Sequence, residues 1–114
     1  MPEFPSGTIT FLFTDVEGST KLLNAHPDAY RAAIRRHHEL LAEAVQASHG
    51  VVFETVGDAV YAAFARPTDA VAAALSGQLA LQAEPWGETP IKVRMGLHLG
   101  EVELQGEHYF GAPL

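Results

Sequence analysis

The chain has 114 residues, 47% of them hydrophobic, and its 7 Lys plus Arg against 14 Asp plus Glu give a formal net charge of -7. That balance argues against a general nucleic-acid-binding surface and suits a protein that meets an anionic substrate through metal ions. There is no cysteine for a disulfide or thiolate site, no apolar run near the ~20 residues that span a bilayer, and no signal-peptide pattern at Met1 to Ser6, so a cytoplasmic segment without membrane contact is expected.

After Pro2 and Pro5, residues Gly7 to Val16 form a Thr, Ile, Phe and Leu run that reads as a buried strand. It gives way to Asp15-Val16-Glu17-Gly18-Ser19-Thr20, a small-residue loop leading into a helix start. Pro27 suits the first turn of a helix, and Tyr30, Ala33, Ile34, His37, Leu41, Ala44 and Val45 recur at helical spacing before a stop at Gly50. Val51 to Glu54 and Ala59 to Ala65 read as two strands joined through Thr55-Val56-Gly57-Asp58, with Gly57 relaxing the turn.

Thr68 is placed to cap the next helix, whose buried stripe is expected at Val71, Ala74, Leu75, Gln78 and Leu79, with Pro85 as its latest end. Ile91 to His98 alternates apolar and polar residues, the period of a half-buried strand, and Val102 to Leu104 is expected to continue as a further strand after a bend at Gly100. The resulting order of strand, helix, strand, strand, helix, strand predicts an α+β, ferredoxin-like βαββαβ fold in one domain.

Two carboxylates carry the chemistry. Asp15 stands where a rigid apolar strand meets the loop, and the amides from Glu17 to Thr20 are candidates to face a phosphate, with Gly18 permitting close approach. Asp58, beside Gly57 on the hairpin turn, comes near Asp15 if the first strand pairs beside that hairpin. Two such aspartates form a hard oxygen site for Mg²⁺ or Mn²⁺, completed by substrate phosphates and water.

Phe11 to Thr20, Phe53 to Tyr61 and Val93 to Gly100 resemble three successive signature segments of class III adenylyl and guanylyl cyclases, in order and at matching spacing. The resemblance runs from about Gly7 to Leu114 and implies the N-terminal part of one such catalytic domain, incomplete at its C-terminal side. It implies that Asp15 and Asp58 hold two metal ions, that the Val16 carbonyl is a further ligand, and that a ribose 3′-hydroxyl attacks the α-phosphate of a nucleoside triphosphate to give a 3′,5′-cyclic nucleotide and pyrophosphate for intracellular signalling. It also implies base contacts by Glu54, which matches the guanine-selecting type, and by the position aligned with His108, which matches neither the aspartate of adenylyl nor the cysteine of guanylyl enzymes. GTP is slightly favoured over ATP.

The family works as head-to-tail dimers, so a homodimer is the partner expected for the complete domain. The asparagine and arginine that the family places after the Tyr109-Phe110-Gly111 segment are not within the residues ending at Leu114, and this chain alone is expected to have little cyclase activity. Taken singly, Asp15 and Gly57-Asp58 are ordinary cap and turn residues; the combination is what points to chemistry. His26, His37, His38, His49 and His98 read as surface or packing residues, and Trp86 as cover for a core edge. The alternatives are a catalytically inert cyclase-homology module that binds nucleotide or dimerises as a regulator, and a different metal-dependent phosphoryl-transfer domain on a similar fold.

Overall fold

The computed structural model of the chain describes residues 4–105 and 108–110. Strand β1 (Gly7–Val16) lies at the middle of the sheet, as its nearly continuous apolar sequence requires. Helices α1 (Ser19–Ala25) and α2 (Pro27–Ala47) follow, then the hairpin of β2 (Val51–Val56) and β3 (Ala59–Phe64), helix α3 (Pro67–Ala83), and strands β4 (Val93–Gln105) and β5 (His108–Phe110). The strand order is β2-β3-β1-β4-β5 with every neighbouring pair antiparallel, which is the expected ferredoxin-like arrangement with an added terminal strand. Among the described residues no helix is long and apolar enough to cross a membrane.

The period-2 alternation of β1 sorts its side chains onto two faces. Leu12 packs with Val45 of α2 and Ala70 and Ala73 of α3, and Val16 packs with Tyr30 and Ala33 of α2. Ile9 and Phe11 point the other way, into a cluster with Val51, Ala63, Val102 and Tyr109. On that helix-free face Phe11 meets Phe53, Phe13 and Tyr109 with ring centroids 5.6, 5.8 and 5.5 Å away. Tyr109 donates its hydroxyl hydrogen to the Pro5 carbonyl at 2.7 Å, and burial pushes its phenol up to about 12.

Three local expectations need correction. The face of α3 that is buried carries Ala70, Ala73, Gly77 and Leu81, while Val71, Leu75 and Leu79 are 54%, 61% and 58% exposed. The helix is apolar all round, so periodicity alone selected its largest residues, whereas close packing selects its smallest: a Cβ on Gly77 would stand 3.1 Å from Leu41 of α2. Ala74 and Gln78 of the expected stripe do point inward, Ala74 packing on the core and Gln78 donating from Nε2 to the Val93 carbonyl at 2.8 Å.

Thr68 is not the cap of α3; Arg66 takes that position in extended geometry with Pro67 opening the helix, and no side chain caps it. Finally, β4 runs without a break through Gly100, because ten consecutive pairs from Gly7–Val102 to Val16–Val93 tie it to β1. Trp86 covers a core edge as expected, donating from Nε1 to the Leu81 carbonyl at 2.8 Å.

Candidate metal and nucleotide site

Asp15 lies near the C-terminal end of β1, held in place by a buried residue just before it. The Thr14 hydroxyl donates to the Val60 carbonyl at 3.0 Å and accepts from the Val60 amide at 3.1 Å, clamping β1 to β3 where their pairing ends. Asp15 then projects to the helix-free face opposite Arg94 of β4. The Arg94 guanidinium donates from Nε to Oδ1 at 2.9 Å and from a terminal nitrogen to Oδ2 at 2.8 Å, a two-point carboxylate pairing. Hydrogen bonding to Asp15 first, and the negative charges of Asp15, Glu17 and Asp58 besides, raise the Arg94 pKa.

Asp58 occupies the second position of the two-residue turn between β2 and β3, where Gly57 at φ 58° supplies the left-handed conformation the turn demands. The last β1–β3 pair is Thr14–Val60, so the end of β1 that carries Asp15 and the turn that carries Asp58 come to the same end of the sheet. α2 reaches the turn from the other face: His38 Nε2 lies 3.1 Å from the Gly57 carbonyl, and the Tyr30 hydroxyl donates to Asp58 Oδ2 at 3.4 Å. Burial first, and the neighbouring Asp58 charge second, raise the Tyr30 pKa.

The loop expected to face phosphate is only partly free to do so. The Glu17 amide already donates to the Lys92 carbonyl at 2.8 Å, which leaves Gly18, Ser19 and Thr20 as the amides at the opening of α1. Gly18 adopts φ 67° there, a conformation that suits glycine and turns the chain sharply away from the strand.

Glu54 stands on β2 directly across from Tyr61, which in turn faces Phe13, which faces Gly96, so these four residues form one row across the sheet. The Phe13 and Tyr61 rings pack at 5.3 Å, and Tyr61, Gly96, Arg94 and Asp15 share the wall of a depression of about 400 Å³. Glu54 and Asp15 are thereby on one face of the sheet, with Glu54 outside the lining of that depression. A register shift between Val52 and Glu54 is what brings Glu54 opposite Tyr61. His108 lies on β5, but its side chain is outside the described residues.

No group of three or more His, Cys, Asp or Glu side chains that could cage a metal occurs among the described residues. Asp15 and Asp58 come to the same end of the sheet but line separate depressions, Asp15 with Tyr61 and Arg94 and Asp58 with Tyr30 and Gly57; their hard carboxylate oxygens would suit Mg²⁺ or Mn²⁺, completed by phosphate and water, better than softer metals. The residues missed in the sequence are Arg94, Thr14, Tyr30 and His38. Arg94 was legible as the one cation on the Asp15 side of β4 once the strand register is known, whereas Tyr30 and His38 carry no signal beyond helical spacing.

Residues 1–106 match the family model of the adenylate and guanylate cyclase catalytic domain, and the chain belongs to that family. A Mycobacterium tuberculosis protein of uncharacterised function is 41% identical over 109 residues, 94% of this chain and 36% of that protein. An adenylate cyclase of Lachancea kluyveri is 37% identical over 92 residues, 81% of this chain and 5% of that protein. Among solved structures, an adenylate cyclase of Trypanosoma brucei in its monomeric state superposes with a TM-score of 0.86 at 25% identity, covering 98% of this chain and 66% of that one. The guanylyl cyclase Cya2 shares the fold, with a TM-score of 0.74 at 22% identity over 92% of this chain and 64% of its own. The chain thus spans little more than a third of the mycobacterial relative.

Proposed function

We propose that this domain serves a nucleotide cyclase that converts a nucleoside triphosphate to its 3′,5′-cyclic nucleotide and pyrophosphate. The observation that carries the reading is the arrival of Asp15 and the Asp58 turn at one end of the sheet, with Glu54 on the same face of the sheet as Asp15. Two divalent ions, Mg²⁺ or Mn²⁺, supply the Lewis acidity that makes the ribose 3′-hydroxyl a nucleophile and neutralises the departing pyrophosphate. Asp15 and Asp58 hold them, with the Val16 carbonyl as a further oxygen ligand.

The chain's own groups do the rest of the binding. Gly18, Ser19 and Thr20 present main-chain donors to phosphate oxygens, and Arg94 offers its guanidinium to the same charge when Asp15 turns to metal. Glu54 accepts hydrogen bonds from the N1 and 2-amino groups of guanine and has no donor for adenine N1, which favours GTP. His108 is the second residue at the base. The working unit is a homodimer in which a second copy of the complete domain supplies the groups that orient ribose and stabilise transition-state charge.

A second reading, a cyclase-homology module that binds nucleotide without turning it over, draws support from His108, which matches neither the adenylyl nor the guanylyl residue. Mass-spectrometric product analysis of the natural full-length protein with Mn²⁺ and either GTP or ATP separates the two. A cyclic product supports the enzyme; tight nucleotide binding without product supports the module.

A further inference from the structure

Asp58 sits where the sheet gives it the least support. The β1–β3 ladder ends at Val60, Thr55, Val56 and Gly57 are exposed, and the turn itself contains only Gly57 and Asp58. A two-residue turn at a hairpin tip is one of the less restrained parts of a fold. Yet a carboxylate that shares metal ions with Asp15 has to be held within a fraction of an ångström.

The element that reaches the tip from behind is α2. Its His38 ring meets the Gly57 carbonyl at 3.1 Å, and since a carbonyl only accepts, Nε2 carries the proton. Its Tyr30 hydroxyl donates to Asp58 Oδ2 at 3.4 Å, and Leu22 of α1 packs against the cluster that buries Tyr30. Both α2 residues are themselves packed against neighbours. Tyr30 is buried in a cluster with Val16, Ala33 and Ile91, and the His38 ring lies 4.9 Å from the fully buried His37. One bond thus meets the main chain of the turn, and the other, a long one, bears on the orientation of the carboxylate.

We propose that Tyr30 and His38 are positioning residues for Asp58: they couple α2, and through the packing around Tyr30 α1, to the orientation of the second metal-binding carboxylate. The inference rests on the metal-binding reading of Asp58. Neither side chain is a metal ligand, and each acts through a group that is. The Tyr30 bond engages Oδ2 only, so Oδ1 keeps its lone pairs for a cation. The arrangement is the familiar outer-shell support of a ligand, with a phenol and an imidazole in the supporting roles.

The test is Mn²⁺ titration of the full chain, read by the electron paramagnetic resonance signal of the free ion, for wild type, Tyr30→Phe, His38→Leu, His38→Gln and Asp58→Ala, with thermal melts of each. Loss of outer-shell support is expected to weaken Mn²⁺ binding about tenfold in Tyr30→Phe and His38→Leu. His38→Gln keeps a donor and should restore most of the affinity, and the melting temperature of Tyr30→Phe should stay near that of wild type. If Asp58→Ala loses affinity while Tyr30→Phe and His38→Leu bind as wild type, the positioning role is overturned and the metal site stands. If His38→Gln is as impaired as His38→Leu, His38 acts by packing and its positioning role is overturned. If Asp58→Ala itself binds Mn²⁺ unchanged, the metal assignment fails and the inference falls with it.

Discussion

Arg94 holds both carboxylate oxygens of Asp15 across the β1–β4 ladder, at 2.9 and 2.8 Å, on the face of the sheet that the helices leave open. Both partners are solvent-accessible, so the pair contributes little to stability, and its interest lies in what it competes with. An ion at Asp15 must displace the guanidinium, and a triphosphate there gains it. Arg94→Met should therefore raise affinity for Mn²⁺ alone by roughly two- to fivefold, the scale of an exposed charge pair, while lowering affinity for the metal-bound triphosphate. Calorimetric titration with Mn²⁺ alone and with a non-hydrolysable analogue measures the two separately; a parallel change in both would show that Arg94 does not exchange partners.

His37 of α2 is fully buried, and neither ring nitrogen has a hydrogen-bond partner among the described residues. Burial first, and the adjacent His38 second, lower its pKa from 6.5 to about 4, against the opposing pull of the Asp58 charge. A lowered pKa means that the unfolded chain binds the proton more readily, so the stability tied to neutral His37 is fully present above pH 6.5 and declines as pH falls toward about 4. The loss is expected to reach up to about 3 kcal/mol, and His37→Leu should flatten the profile over that window. Urea denaturation at pH 7.5 and 4.5 checks both the sign and its removal.

Much of the architecture was legible because strong local signals agreed with the tertiary structure. The limits of β1, from Gly7 to Val16, match the apolar run, and Pro27 and Gly50 bracket α2 as expected. The positions of Asp15 and Asp58 were legible too, since each sits at an element end with glycine close by. What escaped was decided by packing distance. α3 lies so close to α2 that its buried face is made of alanine and glycine, and a reading based on residue size inverted it. α1 escaped as a separate helix because its seven residues bury none of their side chains and so show no apolar stripe.

The corrected orientation of α3 makes its own prediction. Leu81 is 3% exposed and Leu75 is 61% exposed on the same helix. Leu81→Ala should cost about 2–5 kcal/mol, whereas Leu75→Gln should stay within about 0.5 kcal/mol. Chemical denaturation of the two variants compares them directly, and equal losses would restore the periodicity-based stripe.

The proposed function gives Glu54 the selection of the base, and Glu54 shares a row across the sheet with Tyr61 and Phe13, which line the Asp15 depression. Glu54→Lys replaces an acceptor by a donor, and the preference should move from guanine toward adenine by about tenfold, the value of one exchanged hydrogen bond to a charged group. Competition between GTP and ATP analogues for the Mn²⁺-loaded protein reads the ratio. An unchanged ratio would remove Glu54 from the base site while leaving the metal assignment untouched.

The most direct test of the central claim is Mn²⁺-dependent binding of a non-hydrolysable nucleoside triphosphate to wild type, Asp15→Ala and Asp58→Ala, measured by calorimetry. Both aspartates lie at element ends and are only partly buried, so both variants should keep the fold, as circular dichroism would verify. The account predicts that each substitution alone abolishes the Mn²⁺-dependent part of the affinity, since the two carboxylates serve one site. Binding that remains metal-dependent and of wild-type strength in both folded variants would contradict it.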